Sequence, residues 1–469
     1  MLDIRLDGQS ADLTPGTTLV LERFNPLFDF EQVRGSLVYG FDLPLTPTNR
    51  RLLNFFDHNQ APKVTREFRC DKYVYGQLVE QGMVTIREEK TDGVSLFFSQ
   101  NLNEIFGDWQ RLPLSQIDFG SVPTGTITAA ANHLTDAVAY PTLENEGFYG
   151  NQAVPDFAGR VNHFESGAYR TPARVPMVFL GGLLNRFGTL TGWQFVGEFL
   201  DDADLQRLLL YSTYSLDGQT AFRYQNALPD LTMPQLIIAL RQLFNLYLTF
   251  DTDRRVCRLD FGDAVLASSD VVDWTDRASP QHTKTPVIEN RLELAYDLDS
   301  NDATTKPIPP DLDKYATPET VLNEGGTLRP VRSRLGTLLT NPVTGRAMTS
   351  QPGQSVFNKD STAKPLPRLL FWNGLVGGEP RATMSQGTRR LSWSGPNSLT
   401  ARGYSRYEAM LGDTFTLKKL VFLTPLDLAT FDFRRKVHIK GVNYWVRTLK
   451  AQLGGTAKLV PCDVELWRA

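Results

Sequence analysis

At 469 residues the chain is too long for one ordinary hydrophobic core, so about two to four domains are expected. Hydrophobic residues make up 41% and charged residues 22%, the balance of a soluble globular protein, and a net charge of −3 excludes a global basic field of the kind that grips nucleic acid. The opening MLDIRLDGQS has no basic region followed by an apolar run, so no signal peptide is expected, and no run of about eighteen apolar residues predicts a membrane span. Cys70, Cys257 and Cys462 are odd in number and far apart, which points to reduced thiols in a protein made in a cytoplasm.

Residues 1–125 read as β-rich. A strand is expected over 19–24 after the Thr14-Pro15-Gly16 turn, another over 36–41, and a short helix over 49–56. Strands follow over 64–70, 73–75, 78–80, 83–88 and 94–99, with turns at Gly76, Gly82 and Asp92-Gly93. Short strands at this even spacing predict a small antiparallel barrel or sandwich. Residues 126–170, rich in Asn, Gly, Pro and aromatics, predict a long ordered loop with a functional or interfacial role.

Residues 171–275 predict two helix-then-strand modules. In the first, a helix over 177–187 ends at a Gly188 cap and a strand covers 193–199. A short helix leading into a strand is expected over 201–210. The second module is sharper. Thr232 and Gln235 have capping-box spacing, and Leu236, Leu240, Leu243, Phe244 and Tyr247 form one apolar helical stripe. The period then changes to two: Leu248 and Phe250 alternate with polar neighbours, Asp251-Thr252-Asp253 turns, and Cys257, Leu259 and Phe261 alternate on the way back. Residues 276–300 resume strand character and return to the first domain. Residues 301–365, rich in Pro, Thr, Ser, Asn and Asp, read as a polar insertion or extended arm. Residues 366–469 form a closing β-rich domain with a short helix at 404–411 and a hairpin through Lys440-Gly441.

No catalytic, cofactor-binding or metal-ligating residue is assigned. His58, His133, His163, His282 and His438 lack a His or Cys partner at zinc-ligand spacing, and no nucleophile elbow, phosphate loop or calcium loop is present in the sequence. The Gly-Gly pairs beginning at Gly181, Gly325, Gly377 and Gly454 read as turns or packing contacts. Asp201, Asp202 and Asp204 fit a helix start better than a calcium site. Glu88 and Glu89, or Asp311 and Asp313, are the carboxylates a glycosidase reading would need, but a solvated hairpin edge accounts for Glu88-Glu89-Lys90. Arg434-Arg435-Lys436, with Arg406, Lys418 and Lys419, is the strongest cationic run and suits a solvated turn or an acidic partner better than nucleic acid.

Several stretches resemble the central hub proteins of phage tail tips and baseplates, found in tailed phages and contractile injection systems, here of the Bacteroidetes type. They are GFDLPLTPTNRRLLNF, YVYGQLVEQGMVTIREEKTDGVSLFF, MPQLIIALRQLFNLYLTFDTDRRVCRLDF and FLTPLDLATFDFRRKVHIKGVNYWVRTLKA. The resemblance implies an α+β, mainly β fold, with two β-barrel-like domains joined by helix-plus-hairpin modules. It implies a homotrimeric ring around a central channel, with tail tube, spike and other baseplate proteins as partners. It implies no cofactor, no enzymatic activity and no specific nucleic-acid binding, although DNA passes through the channel. The expected location is a virion tail or phage-like particle assembled in the bacterial host cytoplasm. Within that picture, residues 1–125 are the hub domain and the insertion at 301–365 departs from the family pattern. The alternatives are a receptor- or carbohydrate-binding tail protein, for which Phe148, Tyr149, Trp372 and Trp393 are the candidate aromatic surfaces, and a tail-associated cell-wall hydrolase.

Overall fold

In the computed structural model, the strand Thr18–Phe24 runs antiparallel to Val442–Gly454, in register from Thr18 opposite Gly454 to Phe24 opposite Thr448. This pairing joins the two ends of the chain in one sheet. The structure describes all residues except 1, 33–36, 61–66, 100–105, 124–127, 252–253, 359–363 and 455–457. The protein is α+β and mainly β, with 40% strand and 20% helix, and two of its sheets curl into half-barrels.

The chain divides into two compact units, each discontinuous. The first comprises Met1–Ile105, Leu266–Ile288 and Met410–Ala469, and the second Phe106–Val265 and Glu289–Ala409. These units cut across the six segments expected from the sequence, because β-pairing in the first unit links residues far apart in the chain.

Among the described residues the first unit contains a sheet of thirteen strands. Its main path runs Gln9–Ser10, Leu2–Leu6, Phe68–Val74, Gln77–Lys90, Gly93–Ser99, Leu37–Pro44, Thr18–Phe24, Val442–Gly454, Val460–Arg468, Phe415–Leu423 and Ala278–Pro286. Side chains alternate between faces along each strand. Thus Leu19 and Leu21 meet Leu449, Ala451 and Leu453 inside, and Val460, Cys462 and Val464 bury on the last strand. The strands expected separately over 78–80 and 83–88 are one, Gln77–Lys90, because Gly82 pairs with Cys70 within the ladder instead of turning. The Asp92-Gly93 turn closes the hairpin to Gly93–Ser99 as expected. The first helix is Pro47–Leu52, capped by the Thr46 hydroxyl.

The second unit holds the helix modules. The helix Met233–Phe244 starts with a capping box between Thr232 and Gln235, and ends at Asn245, whose φ of 50° supplies the left-handed cap. Leu236, Leu240 and Leu243 are fully buried. The hairpin follows as Leu246–Asp251 and Val256–Phe261, and the expected turn lies partly outside the described residues. The first module differs from its expected boundaries. Residues Met177–Phe179 are a strand, and the helix runs Leu180–Thr191 to a cap at Gly192, with φ 77°. Gly188 therefore lies inside this helix, and glycine is required there because a Cβ would lie 2.4 Å from the Trp193 carbonyl oxygen. The following strand, Gln194–Val196, pairs in parallel with Val256–Phe261, so both modules share a three-stranded sheet.

The segments that read as loop and arm are woven into the second unit. Phe148 and Tyr149 pack in one core with Met177, Phe179, Leu209, Leu370 and Trp372. From the polar 301–365 stretch, Leu328–Ser333 pairs with Arg291–Tyr296, Gly336–Thr337 with Arg368–Val376, and Ala347–Met348 with Leu143–Glu144. Leu240→Ala is expected to lower the stability of the second unit by about 2–5 kcal/mol in a denaturant titration. Leu240→Asp should abolish its folding, whereas Cys257→Ala should cost about 1 kcal/mol. A Leu240→Ala titration superimposing on the wild type would refute the assigned core position.

Candidate functional site

The residues singled out in the sequence are dispersed. His58, His282 and His438 lie in the first unit, and His133 and His163 in the second. His438 faces away from buried Val437 and Ile439, with Nδ1 2.8 Å from the Asn443 side-chain oxygen. Among the described residues no group of three or more His, Cys, Asp or Glu is placed to hold a metal ion. The three thiols are buried, and burial pushes Cys70 and Cys462 up to about 12 and Cys257 above the ordinary thiol range. They stay protonated at neutral pH, which makes them poor nucleophiles.

The carboxylates have structural partners. Asp202 accepts from the backbone amides of Asp204 and Leu205 and holds Arg389 at 2.6 Å. Asp204 accepts from the Thr388 backbone. Asp311 pairs with Arg390 at 2.7 Å. Glu88 and Glu89 are exposed at a hairpin end, where Lys90 pairs with Asp42 at 2.9 Å. The cationic run divides: Arg406 belongs to the second unit, and Lys418, Lys419 and Arg434–Lys436 to the first. Phe148, Tyr149, Trp372 and Trp393 are all at most 2% exposed, so they are core residues and not a sugar-binding surface.

Each unit also buries an ion pair. In the first, Lys72 Nζ lies 2.8 Å from Glu80 and 3.1 Å from the Phe98 ring centroid. Burial holds the Lys72 ammonium below its usual range despite Glu80. In the second, Asp302 accepts from Arg368 at 2.6 Å, from the Thr349 hydroxyl at 2.7 Å and from the Ser350 amide at 2.9 Å. Burial acts to raise Asp302, but Arg368 and these hydrogen bonds outweigh it and hold the carboxyl below its usual range. Arg368 also reaches Asp299 at 3.4 Å, and Gln351 links the network to the Tyr211 hydroxyl at 3.0 Å. Both clusters are buried, although Glu80 Oε1 in the first has no hydrogen-bond partner among the described residues.

The larger open candidate is a groove of about 670 Å³ in the first unit, ahead of one of about 410 Å³ in the second. The outermost strand, Ala278–Pro286, provides His282 and Lys284 on one wall. Its neighbour Phe415–Leu423 provides Phe415, Leu417 and Lys419, in register with Lys284 opposite Leu417 and His282 opposite Lys419. The Lys440-Gly441 turn and Tyr444 and Arg468 complete the lining. Lys284 lies 3.9 Å over the Phe415 ring, and Arg468 pairs with Asp413 at 3.3 Å. No sequence signal marks this groove, because Lys284, Lys419, Lys440 and Arg468 are separated by long stretches of chain. The groove holds anion-binding and apolar groups, with no arranged nucleophile and base.

No family model matches the chain, and no curated protein matches it. In overall course the chain is similar to solved phage tail proteins. These are the prophage MuSo2 43 kDa tail protein from Shewanella oneidensis (9% identity, TM-score 0.38, covering 99% of this chain and 97% of that one), the tail protein from Neisseria meningitidis MC58 (8%, 0.39, 99% and 95%), and prophage tail protein gp18 from Listeria monocytogenes EGD-e (9%, 0.40, 99% and 94%). The likeness spans whole chains and assigns no residue a role.

The buried network makes a pH-dependent prediction. Asp302 has a depressed folded value, so its contribution is present above the unfolded carboxylate value of about 3.9. That contribution fades as pH falls through the lower folded value. Asp302→Asn is therefore expected to cost about 3 kcal/mol at neutral pH, the low end for breaking a buried pair because Asp299 remains. In urea titrations across pH the deficit should shrink below about pH 4. A deficit that does not change with pH would show that Asp302 is not ionised in the folded protein.

Proposed function

We propose that this chain is a structural component of a phage tail or phage-like injection particle. In this reading it is a hub of the tail tip or baseplate. Copies form a ring, most simply a homotrimer, around the central channel and connect the tail tube to spike or fibre proteins. The particle assembles in the host cytoplasm, and the chain catalyses no reaction.

The observation that carries this reading is the thirteen-strand sheet and its unequal ends. One end is blunt, the two-residue strand Gln9–Ser10. The other is the nine-residue strand Ala278–Pro286, exposed from Pro280 onward and paired on one side alone among the described residues. A protein that works as a free monomer shields such an edge, whereas an assembly part leaves it for a neighbour. The resemblance of the sequence stretches to tail-tip hubs points the same way. The sugar-binding alternative has lost its candidate aromatic surfaces to the core. Of the carboxylates the hydrolase alternative would use, Asp311 pairs with Arg390 and Glu88 and Glu89 are exposed at a hairpin end.

A native mass of about three times 52.6 kDa is expected for the purified protein or its mixture with tail-tube and spike proteins. A strictly monomeric mass under all these conditions would sink the ring.

A further inference from the structure

The groove beside the open edge has a charge pattern that selects its occupant. Lys419 is 8% exposed and lines the groove, and no carboxylate pairs with it among the described residues. Burial and neighbouring Lys440 hold its ammonium below the usual lysine range. Lys284 faces the same space from the edge strand, with the Phe415 ring as its neighbour. Arg468 adds a third cation, partly offset by its pairing with Asp413, and His282 an imidazole whose Nδ1 lies 3.4 Å from the Pro280 carbonyl oxygen. Leu417, Ile439 and Tyr444 give the floor an apolar character. A charged ammonium held in this partly desolvated place without a counter-ion is unfavourable, and an incoming carboxylate relieves it.

The edge strand supplies the second half of the site. Between Pro280 and Pro286 the residues Gln281–His282–Thr283–Lys284–Thr285 are all exposed and carry no proline. Their outward backbone groups can accept one short partner strand. Side chains of that strand on the groove face would lie beside His282 and Lys284, and a long acidic side chain among them would reach across to Lys419 on the next strand in.

We propose that this edge and groove bind an extended acidic segment of another protein chain, which adds a strand beside Ala278–Pro286 and places carboxylates against Lys284 and Lys419. The inference rests on the reading of the chain as an assembly part. It commits to a protein strand and not to nucleic acid, because edge pairing requires backbone amides on both sides.

The test uses the full chain and a synthetic peptide of about nine residues alternating Glu and Val, a length matched to one strand. Fluorescence anisotropy should show saturable binding that weakens as salt rises from about 0.05 to 0.5 M. Lys284→Glu and Lys419→Met should each weaken it by about tenfold. Hydrogen exchange should slow at residues 281–285 when the peptide is bound. Equal binding of the peptide with Gln in place of Glu would overturn the proposal. So would unchanged exchange at the edge, or tighter binding of a thymidine oligonucleotide. Loss of peptide binding with a trimeric mass intact removes this inference alone. A monomer that still binds the peptide removes the ring and keeps the site.

Discussion

The pairing of Thr18–Phe24 with Val442–Gly454 is the constraint on which the first unit depends. It stitches strands from the beginning of the chain to strands from its end, and it buries Leu19 and Leu21 against Leu449, Ala451 and Leu453. Shifting the register by one residue would send this apolar set to the opposite face, so the alternation itself specifies the match. The closure entropy of so long a loop grows slowly with length, which makes the connection thermodynamically tolerable. It is a non-local pairing whose loop closure must be met before its contacts form, in contrast to the local helix and hairpin of 233–261.

The second unit solves a different problem. Its polar stretch offers few large apolar side chains, yet it must be fixed against a β core. The solution is a closed hydrogen-bond network centred on Asp302 and Arg368, with Thr349, Ser350 and Gln351 satisfying the remaining valences. Such a network specifies one arrangement strongly because a half-satisfied version is costly. It also explains why residues that look like an arm by composition are built into sheets.

The second helix-and-hairpin module was legible from local chemistry. Thr232, Gln235 and the leucine stripe are all within a few residues of one another, and the structure reproduces them. The mainly β class was equally legible. What composition and period could not reveal was partnership at a distance. Gly188 looks like a helix end until the Trp193 carbonyl is seen against it. Trp372 reads more readily as core than as surface, but only the structure gives its partner, the Ala131 carbonyl, to which its indole donates at 2.9 Å. Lys419 looks like part of a cationic run, but strand alternation separates it from Lys418, and its groove neighbours come from three other stretches of chain.

That separation bears on how the open edge discriminates among neighbours. Two copies of Ala278–Pro286 meeting edge to edge would bring Lys284 of each toward that of the other, a like-charge encounter across a strand pair. Pro280 and Pro286 further limit the ladder to the short stretch between them, which removes the long flat template that indiscriminate pairing needs. The edge is therefore poor at recruiting itself and better suited to a strand of opposite charge. In a ring of three copies the interfaces are heterologous, so this edge would meet a different face of the next copy or a strand of another component, never itself.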